Sequence, residues 1–121
     1  IIKIMARLKV NRDFTFKLYL TTEYGDTYFH CKSDNFFTVE KAATDACNGD
    51  VETYSYDVEI GRITAEEYAD IFKKRYYQVV QVTKAEDADG DALRERVIET
   101  IQVNEDGQIE IHFPIVETFI G

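Results

Sequence analysis

Two-residue alternation recurs along this chain, and it leaves few fold classes open. In residues 14–21, FTFKLYLT, Phe14, Phe16, Leu18 and Leu20 fall on one side and Thr15, Lys17, Tyr19 and Thr21 on the other. In residues 1–10, Ile2, Ile4, Ala6, Leu8 and Val10 oppose Lys3, Met5, Arg7 and Lys9. Residues 108–113 place Ile109, Ile111 and Phe113 together. Successive side chains of a strand point to opposite faces, so this pattern reads as strands with one buried face. TYFHCK (27–32) and YYQVVQVT (76–83) are also strand-forming in composition. The turn formers NRD, EYGD and NEDG punctuate these runs, which points to antiparallel hairpins.

Residues 49–61, GDVETYSYDVEIG, alternate as well. Glu52, Tyr54, Tyr56, Val58 and Ile60 share one face; Val51, Thr53, Ser55, Asp57 and Glu59 share the other. We read this as a further strand with Tyr54, Tyr56, Val58 and Ile60 toward the core. The rival reading exposes Glu52, Tyr54 and Tyr56 as a contact surface.

Two segments depart from the two-residue period. TAEEYADIFKKR, 64–75, is the clearest helix. Thr64 is placed to cap it, with Glu67 three residues on as the reciprocal partner. Tyr68, Ile71, Phe72 and Arg75 line one stripe. Glu66 and Glu67 suit the positive end of the helix dipole; Lys73, Lys74 and Arg75 suit the negative end. Residues 34–47 fit both periods, but Phe36, Val39, Ala43 and Ala46 share a helical face and the alanine content favours helix. CNGD then supplies a stop signal. Residues 92–103 also fit either period, with Arg96–Val103 leaning to strand. The expectation is one α+β domain over residues 1–121: an antiparallel sheet of about five to seven strands with one or two helices on one face.

Charge divides the chain unevenly. The net is −9 overall, but residues 1–33 carry +3, residues 34–70 carry −8 and residues 71–121 carry −4. Direct binding to a nucleic-acid backbone is disfavoured by this balance. Lys3, Arg7, Lys9, Lys17 and Tyr19 form at most a small basic-aromatic patch. A partner protein with a basic surface, such as one that binds nucleic acid, suits the acidic middle of the chain. Its carboxylates Asp50, Asp57, Glu59, Glu66 and Glu67 are the candidate protein-binding residues. Asp57 and Glu59, two apart on the expected strand, would project together.

Catalytic and metal signatures are weak. His30, Cys31, Cys47 and His112 have zinc-binding chemistry, but not the paired spacing of a structural site. His30 and Cys31 are adjacent, so on a strand they face opposite ways. Cys31 with His112 would need neighbouring strands to act as a nucleophile and base. DADGD, 87–91, opens like a calcium loop, but Ala92 stands where glycine belongs and Ile98 where glutamate belongs. No catalytic residue, metal ligand or cofactor is therefore expected, and both thiols are expected reduced.

No apolar run approaches the roughly 20 residues of a membrane-spanning helix, and the first residues are charged too early for a signal peptide. A cytoplasmic location with no membrane partner is expected. The leading functional expectation is a small acidic non-enzymatic interaction domain: an inhibitor, immunity or nucleic-acid-mimic protein acting on a basic protein surface. One alternative is a structural or assembly subunit that self-associates through its sheet edges. The other is a small-molecule-binding protein or enzyme with a pocket between helix and sheet.

Overall fold

The computed structural model describes residues 15–84 and 93–114. Five strands form one antiparallel sheet: β1 (Thr15–Thr21), β2 (Thr27–Ser33), β3 (Tyr76–Lys84), β4 (Leu93–Val103) and β5 (Ile109–His112). Their spatial order is β2-β1-β3-β4-β5. Two helices, α1 (Phe36–Glu59) and α2 (Ala65–Lys74), lie between β2 and β3 in sequence and pack on the sheet. The α+β expectation is met, with five strands and two helices among the described residues. The expected strand at 1–10, Phe14, the acidic loop at 85–91 and the tail beyond residue 114 lie outside those residues.

The hairpins follow their local chemistry. Gly25 and Gly107 both have positive φ, 88° and 78°, which glycine adopts without a Cβ penalty. Thr22 and Asn104 close the two turns by accepting from Gly25 N at 2.9 Å and Gly107 N at 3.0 Å. Residues 93–103, open to either period, form a strand because they pair with β3 on one side and β5 on the other.

The largest correction concerns residues 49–61. They are not a strand: residues 49–59 are the second half of the 24-residue helix α1, and 60–61 end it. Asn35 caps that helix, its Oδ1 accepting from Phe37 N at 2.9 Å and Thr38 N at 3.4 Å. Val39, Ala43 and Cys47 are its buried residues, and Val51 and Tyr54 continue the inner face. These recur every three or four residues, so a true helical period lay beneath the two-residue alternation. Gly49 does not stop the helix. It costs roughly 1 kcal/mol against alanine, a deficit that tertiary contacts on both sides outweigh. The stop is Gly61, whose φ of 77° is left-handed and whose N–H donates to the Val58 carbonyl at 3.0 Å. Consequently Tyr56 and Ile60 are exposed, not core.

The core lies between the sheet and the helices. Phe16 and Leu18 of β1, Tyr77 and Val79 of β3, and Ile101 and Val103 of β4 meet Val39, Ala43 and Cys47 of α1 and Phe72 of α2. Two register shifts adjust the sheet, at Leu18/Tyr19 against β2 and at Val79/Val80 against β4. Burial pushes the Cys47 thiol up to about 12, so this cysteine behaves as a small apolar side chain.

Helix α2 starts as its sequence requires. Thr64 Oγ1 accepts from Glu67 N at 3.0 Å, and Glu67 Oε1 accepts from Thr64 N at 3.0 Å. Thr64→Ala removes one half of this reciprocal cap. Denaturant melting should show a loss of about 1 kcal/mol.

Candidate functional site

The helix assignment redistributes the acidic residues. At 3.6 residues per turn, Asp57 and Glu59 lie about 200° apart around α1 and do not project together. Asp57 turns into the α1–α2 corner: its carbonyl accepts from Arg62 N at 2.8 Å, and its Oδ1 lies 3.5 Å from Arg62 Nη1. Asp50 faces inward as well, into a charge cluster. Glu67 is exposed, but its carboxylate belongs to the α2 cap. Glu59 and Glu66 are exposed and have no ion pair among the described residues. The five candidates therefore do not form one surface.

A different set does share a face. Asp45, Gly49, Glu52, Tyr56 and Glu59 recur at alternating spacings of four and three along α1, and all are exposed. Asp45 is held by Lys41 at 2.8 Å. Glu52 and Glu59 have no cationic partner among the described residues and flank Tyr56, which is 58 % exposed. Glu52 was legible only under the rival reading of this segment, which exposed Glu52 and Tyr56 together. Tyr54, by contrast, turns inward against Phe72, with ring centroids 5.6 Å apart.

Beneath this ridge lies the cluster around Arg75. Its Nε donates to Asp50 Oδ2 at 2.9 Å and its Nη2 to Asp50 Oδ1 at 3.3 Å. Its Nη1 donates to Glu23 Oε1 at 3.1 Å. Tyr77 donates its hydroxyl to Asp50 Oδ2 at 2.8 Å, and Tyr54 donates to Glu23 Oε2 at 3.4 Å. The guanidinium carbon also sits 5.8 Å from the centre of the Tyr54 ring. Burial opposes the charge on Arg75, but the hydrogen bonds and charge of Asp50 outweigh it and hold the guanidinium protonated. Burial, then the Asp50 contact, raises the Tyr77 hydroxyl. Each group has partners, so the cluster is a lock joining the β1–β2 turn, α1 and the α2–β3 junction. Its signal in the sequence was a cation, Arg75, on the apolar stripe of α2: a charge there needs a buried counter-charge.

A second feature is a carboxyl pair. Glu99 sits opposite Val79 beside the β4 register shift and is 3 % exposed. It hydrogen-bonds Glu40 of α1, and its Oε1 has no partner. Burial first, then the contact with Glu40, pushes the Glu99 carboxyl up to about 8. Burial beside a second carboxyl thus favours the neutral form of Glu99.

A third feature is a cleft of about 420 Å³ between α2 and the β4–β5 hairpin, walled by Tyr68, Phe72 and Val103 and rimmed by Glu105, Asp106 and Glu110. The histidines and cysteines do not converge. Cys31 and His112 lie on β2 and β5, the opposite edges of the sheet. No group of three or more metal-ligating side chains occurs among the described residues, and no helix among them is long and apolar enough to cross a membrane. On the outer face of β1, Tyr19 donates to Glu95 Oε1 at 2.9 Å, so an acidic group enters the expected basic-aromatic patch. Comparison with protein-family models, curated proteins and solved structures finds no match.

These geometries make three predictions. Asp50→Ala leaves Arg75 with Glu23 alone in a mostly buried setting and should cost about 3 kcal/mol in urea melts. Glu59→Gln should change stability by less than about 0.5 kcal/mol. The Glu99 carboxyl keeps its proton in the folded chain after the unfolded chain has lost it. Stability should therefore fall as pH rises from about 4.5 toward 8. Glu99→Gln should flatten that part of the stability profile measured by thermal melting across pH, and gain most over wild type near pH 8.

Proposed function

We propose that this chain is a non-enzymatic interaction domain that presents the outer face of α1 to a basic protein surface. The observation that supports this is the ridge Asp45–Glu52–Tyr56–Glu59. Two carboxylates without cationic partners among the described residues flank an exposed aromatic ring on a regular helix. Glu52 and Glu59 are seven residues apart, roughly 10 Å along the helix axis. Such a row attracts cationic side chains and speeds encounter, while the ring supplies apolar contact area. The reading covers inhibitor, immunity or nucleic-acid-mimic roles, in which a basic groove is occupied by a protein.

A specific observation favours a second reading, assembly through sheet edges. Among the described residues β2 is a seven-residue edge strand, with Tyr28 56 % and Phe29 54 % exposed. An open edge of this length can pair with another strand. Mass measured in solution separates the two: a stable higher oligomer supports edge pairing, whereas a monomer favours the ridge.

The ridge is tested by capture from the source cell with wild type and the double variant Glu52→Gln, Glu59→Gln, at two salt concentrations. The double variant should fold normally. A specific basic protein should be retained by wild type at low salt, weakened at high salt, and retained poorly by the variant at low salt. Equal retention of the same proteins by both chains in both salts overturns the proposal.

A further inference from the structure

The cleft beside α2 is separate from the α1 ridge, and its chemistry is more specific. Its volume, about 420 Å³, is within the range of small-ligand sites. One wall is aromatic: Tyr68 and Phe72 meet edge to face with centroids 4.9 Å apart. Gly107, at the β4–β5 turn, places the hairpin beside that wall: a Cβ built there would be in ordinary contact with the Tyr68 hydroxyl, 4.0 Å away. The opposite rim carries Glu105, Asp106 and Glu110.

Glu110 is already oriented. Asn104 Nδ2 donates to its Oε2 at 3.1 Å, and His112 Nε2 lies 3.3 Å from its Oε1. Glu105 and Asp106 have no cationic partner among the described residues. The C-terminus of α2 adds the negative end of its dipole, and the carbonyls of Phe72 and Lys73 accept from Gln102 Nε2 at 2.9 and 3.1 Å. With its amide nitrogen so occupied, Gln102 keeps its side-chain oxygen as a further acceptor on the cleft wall. Lys73 is the one basic side chain in the lining, against three carboxylates.

We propose that this cleft binds a guanidinium group, the side chain of an arginine presented by a basic peptide segment. A planar, donor-rich cation matches an aromatic wall facing carboxylates better than a neutral or anionic ligand does. Arginine is favoured over lysine because its fork can meet a carboxylate with two bonds while its plane lies against Tyr68. The inference does not rest on the α1 ridge. A single side chain at this partly open site should bind in the millimolar range.

The test is an amide NMR titration of the whole chain with N-acetyl-Gly-Arg-Gly-amide, and with the same tripeptide carrying lysine or citrulline. Citrulline keeps the shape of arginine and lacks the charge. Saturable shifts should appear at Gln102, Asn104 and Gly107 with the arginine peptide, weaken several-fold with lysine and vanish with citrulline. Asp106→Asn and Glu110→Gln should each weaken binding several-fold while the amide spectrum stays folded; if Glu110→Gln disturbs the turn, exposed Asp106 decides alone. The double variant Glu52→Gln, Glu59→Gln should bind the arginine peptide like wild type. Equal shifts with citrulline, shifts spread over α1 as strongly as at the cleft, or no saturation would each overturn the assignment.

Discussion

The guanidinium of Arg75 is the point at which the separate parts of this fold are fastened. It follows α2 directly and precedes β3, so chain connectivity holds it at the seam between helix layer and sheet. Two bonds reach Asp50, halfway along α1, and a third reaches Glu23 in the first hairpin turn. Tyr77 and Tyr54 occupy further lone pairs of the same carboxylates. A planar five-donor cation can satisfy two acids at once; lysine there could not reproduce the bidentate contact. The lock also explains how α1 continues through Asn48 and Gly49, since Asp50 is anchored immediately after them.

Acidic side chains of like charge meet three contrasting environments here. Asp50 and Glu23 are consumed internally and hold the layers together. Glu99 is buried beside Glu40 and is accommodated as the neutral acid. Glu52 and Glu59 are exposed without a counter-charge among the described residues. A net charge counted along the sequence treats these groups alike, although their environments give them different chemistry. The exposed acidic face of α1 is therefore narrower than the −8 of residues 34–70 implies.

Legibility in the sequence followed how local each determinant was. Thr64 and Glu67 bond each other across three residues, so the start of α2 could be read directly. Gly107 after Asn104 marked the last hairpin in the same way. Phe16 and Leu18 face inward as expected because apolar and polar side chains alternate along β1. Residues 49–61 were misread because Val51, Tyr54 and Val58 satisfy a helical period while their neighbours happen to alternate. What decides the matter is remote: Asp50 meets Arg75, 25 residues away, and Tyr54 meets Phe72. The candidate site suffered most from that error, since Asp57 and Glu59 lie together only on a strand. From sequence, Glu52 and Tyr56 are exposed, together with Tyr54, only under the rival reading of this segment. A helix–sheet pocket was an open alternative, but the residues of the cleft were not legible, because α2 and the β4–β5 hairpin are brought together only by the sheet order.

The length of α1 has a consequence for how its surface behaves. Its fully buried residues, Val39, Ala43 and Cys47, all belong to the first half. The second half rests on Val51 and Tyr54, which are only partly buried, and on the polar lock at Asp50. Opening free energies within a protein track apolar contact, so the distal turns should form a weaker cooperative unit than the proximal ones. Their amides should exchange with solvent sooner than those near Val39, without the sheet unfolding. Glu52, Tyr56 and Glu59 all sit on that looser half. Under the proposed role, the ridge sits on a segment whose looser packing lets its pitch follow the shape of a partner.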